Sequence, residues 1–305
     1  MARALLLFVS SAFVTACGDS PAVPDAGVDA ACVPATPPAS DCSDACFDDA
    51  RPGTLLTIDP AEIATTPPPA GSRPVRIAIF YTVAPQPPAG WTRLDAVRQM
   101  QRIVTDTNGI LDQCLLHVEV EAAQVVVLPA RLLDLDGNEP GSFGGHPPPG
   151  TPNPDLFDYQ QNERLTAESR ELFAFGKQHS SKNAISVFTV EHIVYYSNQE
   201  LEEPGPGGLS NPPNIYHHPD DYPYRNSVLL VPPYGACGDL PGLADTRTLA
   251  HELGHMLLNS GGHSTEFRNL MNDGSRLTAA QCTRMSEVLT ALYGEAEVPD
   301  PGPPT

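Results

Sequence analysis

The segment Thr248-Leu249-Ala250-His251-Glu252-Leu253-Gly254-His255-Met256-Leu257-Leu258 constrains this chain more than any other. Its periodicity is helical, with Leu249, Leu253, Met256 and Leu257 forming an apolar back. Residues four apart on a helix share a face, so the imidazoles of His251 and His255 can reach one metal ion. Glu252 lies beside them, where a carboxylate can accept a proton from water. Asp245 or Thr246 is the expected N-cap. The pattern H-E-x-x-H alone arises by chance in roughly one chain in a hundred, so the flanking residues decide. After the helix, Asn259-Ser260-Gly261-Gly262 tolerates positive φ, which lets the chain reverse and return His263 toward the same point. Three imidazoles with a fourth position open is the arrangement of a catalytic zinc, because water must enter there.

These residues resemble the metzincin clan of zinc metallopeptidases, and within it the bacterial relatives of the matrixins. The clan motif is H-E-x-x-H-x-x-G-x-x-H, followed by a tight turn containing methionine. His251, Glu252 and His255 match it, and Leu270-Met271 stands eight residues beyond His263 as the turn. Gly207-Gly208-Leu209-Ser210 and Asn226-Ser227-Val228-Leu229-Leu230-Val231 look like the edge-strand region and last strand of that fold.

One spacing departs from the clan. Its glycine position falls on Leu258 and its third-histidine position on Gly261, so His263 comes two residues late. A further half-turn of helix through Leu258 and a Gly-Gly turn would absorb the surplus. The competing third ligands are Glu266, Asp273 and Glu287, the last of which would mimic the gluzincin class. Asp273 occupies the place of the tyrosine that some metzincins carry, so no tyrosine switch is expected.

The resemblance implies a zinc endopeptidase. Zn2+ would be held by His251, His255 and His263, and Glu252 would be the general base. A peptide or protein substrate would lie extended beside Gly207 to Ser210. It further implies an α/β (α+β) domain with a twisted mixed sheet, an active-site helix and a C-terminal helix. Two other readings stand beside it: a non-catalytic surface-binding lipoprotein of the same fold, and a gluzincin-type peptidase.

The rest of the 305 residues divides by composition. Residues 1–16 read as a signal peptide, because Arg3 precedes a short apolar stretch, Ala4 to Ala16, that is too brief to span a bilayer. Small residues then lead directly into Cys17, which resembles a lipobox, so Cys17 is the expected lipid anchor to a membrane. Gly18 in the next position directs the expectation to the outer membrane or surface of a Gram-negative host. Residues 17–72, rich in Pro, Ala and Asp, read as a disordered linker. The metallopeptidase domain is expected over 73–293, and 294–305 as a disordered tail.

Within the domain the pattern predicts strands at Arg76–Val83, Leu116–Leu128, Ala184–Val190 and Ser227–Val231. Helices are predicted at Trp91–Cys114, with a break at Asn108-Gly109, at Asn162–His179, and at Thr278–Tyr293. The β-α-β order points to a sheet that is mostly parallel. Long polar loops are expected over Gly137–Pro154 and Ser197–Asn226.

Export favours disulfides among Cys32, Cys42, Cys46, Cys114, Cys237 and Cys282. A bond between Cys237 and Cys282 would clamp the metal-binding segment at both ends, while pairing of either with Cys114 stays open. A cysteine-based propeptide block through Cys32, Cys42 or Cys46 is less favoured than disulfides. A net charge of −20 excludes a nucleic-acid surface. The other partner expectations are a monomeric protein, with His146 and the His217-His218-Asp220-Asp221 cluster as solvated loop residues.

Overall fold

A computed structural model describes residues 52–64, 66–85, 92–136, 165–197, 200–202, 207–212, 223–231, 247–260, 263–272 and 274–294. The signal segment, Cys17, the Cys32/Cys42/Cys46 cluster, His146, His217 to Asp221, Cys237, Asp245, Thr246, Gly261, Gly262, Asp273 and the tail lie outside the described residues.

Ordered structure begins earlier than the composition suggested. Strand β1 (Gly53–Ile58) and the single turn α1 (Pro60–Ile63) fall inside the segment expected to be linker. Asp59 caps α1 with a reciprocal Glu62 contact, and Ile58 and Ile63 are fully buried. Two buried isoleucines and a strand paired with β3 give this stretch its hold on the domain. Residues 53–63, expected to be linker, instead form a strand and a helical turn packed on the domain.

Strand β2 (Arg73–Val83) follows, then helix α2 (Arg93–Leu111), a 3-10 turn (Asp112–Cys114) and strand β3 (Leu116–Val127). Within β2, Ile77, Ile79 and Tyr81 face one core cluster and Ala78 and Phe80 the other. Alternate residues point to opposite faces, so a strand buried on both sides needs the continuous apolar run seen in its sequence. Helix α2 does not break at Asn108-Gly109. Asn108 is buried, and its side-chain carbonyl accepts the Val118 amide at 2.7 Å, while its amide meets His117 Nε2 at 3.2 Å. A residue predicted to punctuate the helix is spent on tertiary contact. The chain turns instead at Leu115, which adopts φ 52°. Leu94, in the first turn of α2, is half exposed.

Next come β4 (Asp134–Asp136), α3 (Ala167–His179), β5 (Ile185–Thr189), β6 (His192–Ser197), β7 (Glu200–Glu202), β8 (Gly208–Asn211) and β9 (Ser227–Leu230). The last elements are α4 (Thr248–Leu258) and α5 (Ala279–Tyr293). The principal sheet has the order β1-β3-β2-β5-β9-β8. Its four inner strands are parallel, and the edges β1 and β8 run antiparallel to their neighbours. Strands β4, β6 and β7 form a small second sheet in a region predicted partly as loop.

One face of the main sheet packs on α2, α4 and α5 through Met100, Leu249, Leu253, Met256, Met285 and Leu289. The other packs on α3 through Phe173, with Phe80 and Phe188 stacked at 4.6 Å between ring centroids. The protein is thus a mixed α/β domain, as the strand–helix alternation indicated.

Cys114 and Cys282 form a disulfide, with Cα atoms 4.9 Å apart. The expected Cys237–Cys282 bond is overturned. The reason is local: the 3-10 turn after α2 lies against the start of α5, where Gln113 Nε2 also donates to the Ser275 carbonyl at 2.8 Å. Among the described residues, no helix is long and apolar enough to cross a membrane.

Candidate metal centre

Helix α4 is among the most apolar segments of the fold because it sits between the sheet and α5. Leu249, Ala250, Leu253, Met256 and Leu257 are all buried. Its N-terminal flank is Arg247, in helical conformation and with no side-chain cap; the expected capping residues lie outside the described residues. Its C-terminus is better defined. Asn259 takes the left-handed conformation, φ 52° and ψ 47°, and is fully buried. The Ser260 amide returns to the His255 carbonyl at 3.1 Å, closing the turn. The helix thus runs through Leu258 and reverses at Asn259.

That reversal brings three imidazoles together. His255 Nε2 and His251 Nε2 are 3.1 Å apart, and His251 Nε2 and His263 Nε2 are 3.3 Å apart. The ligand atoms of all three rings lie within 4.8 Å of one another, the one such histidine group found among the described residues. Four nitrogens arranged tetrahedrally at about 2.0–2.1 Å from a zinc stand about 3.3–3.4 Å from each other, so one of these two edges has that length and the other is slightly shorter.

The other ring nitrogens of His251 and His255 are fixed. His251 Nδ1 donates to the Leu270 carbonyl at 2.7 Å, and His255 Nδ1 donates to the Ser260 carbonyl at 2.7 Å. A neutral imidazole that donates from Nδ1 presents a lone pair at Nε2. Two such lone pairs facing at 3.1 Å repel, unless a proton or a cation sits between them. Protonation is disfavoured at His255, whose pKa is lowered to about 3 by burial, by His251 and by His263. Burial lowers His263 as well. The donor set therefore fits a divalent metal with a taste for imidazole.

Glu252, one residue along α4, is buried beneath strand β8. Burial raises its carboxyl to about 7, and the Ser210 hydroxyl bonded to it pulls the other way. A carboxyl poised near neutrality can both take and return a proton. Strand β8 approaches so closely at Gly208 that a Cβ there would lie 2.8 Å from Glu252 Oε1. Only glycine leaves that carboxylate in place.

Met271 is buried and packs against Gly254 of α4. A Cβ built on Gly254 would lie 2.4 Å from Met271 Sδ. Gly254→Ala should therefore push the methionine turn away from α4. Overpacking of this kind costs about 1–3 kcal/mol, read as a fall in melting temperature of a few degrees at unchanged secondary structure.

Of the rival third ligands, Glu287 on α5 is turned outward and pairs with Arg284 at 3.9 Å. Glu266 is exposed on the loop, its amide bonded to Ser264 Oγ at 3.0 Å. Sequence reasoning missed Ser210, the Ser260 and Leu270 carbonyls and Asn269. Carbonyl groups have no signature, since every residue carries one. The buried Asn269 has the clearest signal, because it sits two residues before a methionine singled out by its spacing.

Fold and site together define a mixed α/β domain carrying a three-histidine group able to hold a metal ion. No family model matches the chain, and no curated protein matches it. Among solved structures, a chain from the crystal structure of metalloproteinase-II from Bacteroides fragilis is similar at 13% identity and TM-score 0.34. The match covers 74% of this chain and 59% of that one, so this chain matches less than two thirds of its length. A likeness this slight fixes neither activity nor substrate.

Proposed function

We propose that this protein is a zinc-dependent endopeptidase, exported and held at a membrane by lipid on Cys17. The observation that carries the catalytic reading is the convergence of three Nε2 atoms with Glu252 on the same helix. Bound there by His251, His255 and His263, zinc supplies Lewis acidity, acidifying water and polarising a carbonyl oxygen. Glu252 takes the proton of the attacking water at its carboxylate and passes it to the leaving amine. The Ser210 hydroxyl hydrogen-bonds that carboxylate, and strand β8 packs against it at Gly208. A peptide would lie along β8, which is an edge strand of the main sheet among the described residues.

A non-catalytic binding protein of the same fold is the second reading. It has no use for a buried carboxyl beside the histidines, which burial makes costly to ionise. The two separate in one assay. Purified full-length protein should cleave an unstructured protein substrate, lose that activity to a zinc chelator, and regain it when zinc is restored. Stoichiometric zinc without cleavage of any unstructured substrate tried would favour the binder.

Anchoring rests on the small residues before Cys17 and the Pro-rich stretch after it. Acyl chains would supply the membrane affinity, since each buried methylene contributes about 0.8 kcal/mol. Cys17→Ser should move the protein from the membrane fraction to the soluble fraction. Unchanged membrane fractionation would remove the lipoprotein reading and leave the catalytic one standing.

A further inference from the structure

The Leu270 carbonyl that orients His251 belongs to a turn braced by the buried side chain of Asn269. Its Oδ1 accepts the Met271 amide at 2.9 Å, and its backbone carbonyl accepts the amides of Asn272 at 3.1 Å and Gly274 at 2.9 Å. Leu270 is itself fastened by its amide, which donates to the Arg276 carbonyl at 2.7 Å. Asn269 is 3% exposed, so each of its polar atoms must find a partner inside the protein.

It finds the remaining ones on Gln281. Asn269 Nδ2 donates to Gln281 Oε1 at 2.9 Å, and Gln281 Nε2 donates back to Asn269 Oδ1 at 3.1 Å. Neither amide is free to flip. Met271 N–H requires an oxygen from Asn269, and Thr278 N–H, at 2.9 Å, requires an oxygen from Gln281. Gln281 is also the reciprocal capping residue of α5. The two amides form a closed pair joining the methionine turn to the first turn of the last helix.

We propose that Asn269, held by Gln281, is a positioning residue that sets metal affinity by fixing the Leu270 carbonyl against His251 Nδ1. This deepens the metal-centre reading and rests on it. The bond to Nδ1 fixes the ring's tautomer and aim, and a partner that can drift loses both. Asn269→Asp is close to isosteric. It keeps the acceptor for Met271 but withdraws the donor, setting a carboxylate oxygen against Gln281 Oε1 in a buried place. Gln281→Glu is milder, keeping the helix cap while removing one donor to Asn269.

The test is zinc affinity of the full chain, measured by competition with a chromophoric chelator, together with the visible spectrum of the cobalt-loaded protein. Asn269→Asp should weaken zinc by about tenfold or more, as loss of an outer partner of a ligand imidazole does, and shift the cobalt bands. Gln281→Glu should move both readouts the same way by less. A merely structural role would lower the melting temperature of both variants and leave affinity and cobalt bands at wild-type values, and that result overturns the proposal. Should Asn269→Asp not fold, Gln281→Glu decides by the same criterion. A wild-type protein that binds neither metal overturns the metal-centre reading itself, and this proposal with it.

Discussion

Glu252→Gln should lower peptide hydrolysis by about 10²–10⁴-fold while leaving bound zinc in place, since it removes a proton carrier and none of the ligands. The same substitution should stabilise the metal-free protein at alkaline pH. The carboxyl is held at about 7 in the fold against 4.5 for an ordinary glutamate. Between those values the folded protein binds the proton that the unfolded chain has released, so stability falls as pH rises through the window. The full effect is about 3 kcal/mol at most, and glutamine does not suffer it. His255 works in the opposite direction. With its folded pKa lowered to about 3, its contribution is present above about 6.5 and lost as pH falls toward 3. Thermal melts of wild type and variant at pH 4 and pH 8 should therefore coincide at the lower pH and separate at the higher. A variant that cleaves as fast as wild type would remove Glu252 from the chemistry.

Breaking the Cys114–Cys282 bond should cost more stability than any single side chain at the site. The bond closes a loop with a sequence separation of 168. Restricting an unfolded loop that long corresponds to about 4–5 kcal/mol at the upper end of what native disulfides contribute. In a domain of this size that is a fall of about 10 °C in melting temperature. The paired Cys114→Ser, Cys282→Ser variant, or wild type with reductant, gives the measurement. The loss should also reach the metal. Cys282 follows Gln281, so a loosened first turn of α5 frees the methionine turn from below. A double variant that melts with the wild type would show the bond to be dispensable.

Much of this site was legible because helical spacing is itself geometric. His251 and His255 had to share a face, and Leu249, Leu253 and Met256 had to bury the opposite one. The predicted ends of α5 fell within a residue of the observed ones, because Thr278 and Gln281 form a capping box. The position of His263 was harder, since a turn containing Asn259 can send the chain in several directions and only the packed structure selects one. The partner of Cys282 was misjudged for a related reason. The clamp that such a bond would form around the metal-binding segment favoured Cys237, whereas the partner in space, Cys114, lies in the 3-10 turn just beyond α2. Asn108 shows the same limit in miniature. Its propensity to end a helix was overridden by two hydrogen bonds to β3 that no local pattern encodes. Strand β1 was missed because short pairing on a sheet edge demands few apolar residues, and Leu55 remains exposed there.

Zinc titration of three full-length proteins tests the central claim most directly: wild type, His263→Ala and Glu287→Ala. The geometry predicts one tightly bound zinc per chain in wild type and in Glu287→Ala, and a large loss of affinity in His263→Ala. Absence of zinc binding in wild type would contradict the three-histidine centre. So would retention by His263→Ala with loss in Glu287→Ala, which would hand the third position to the glutamate on the last helix.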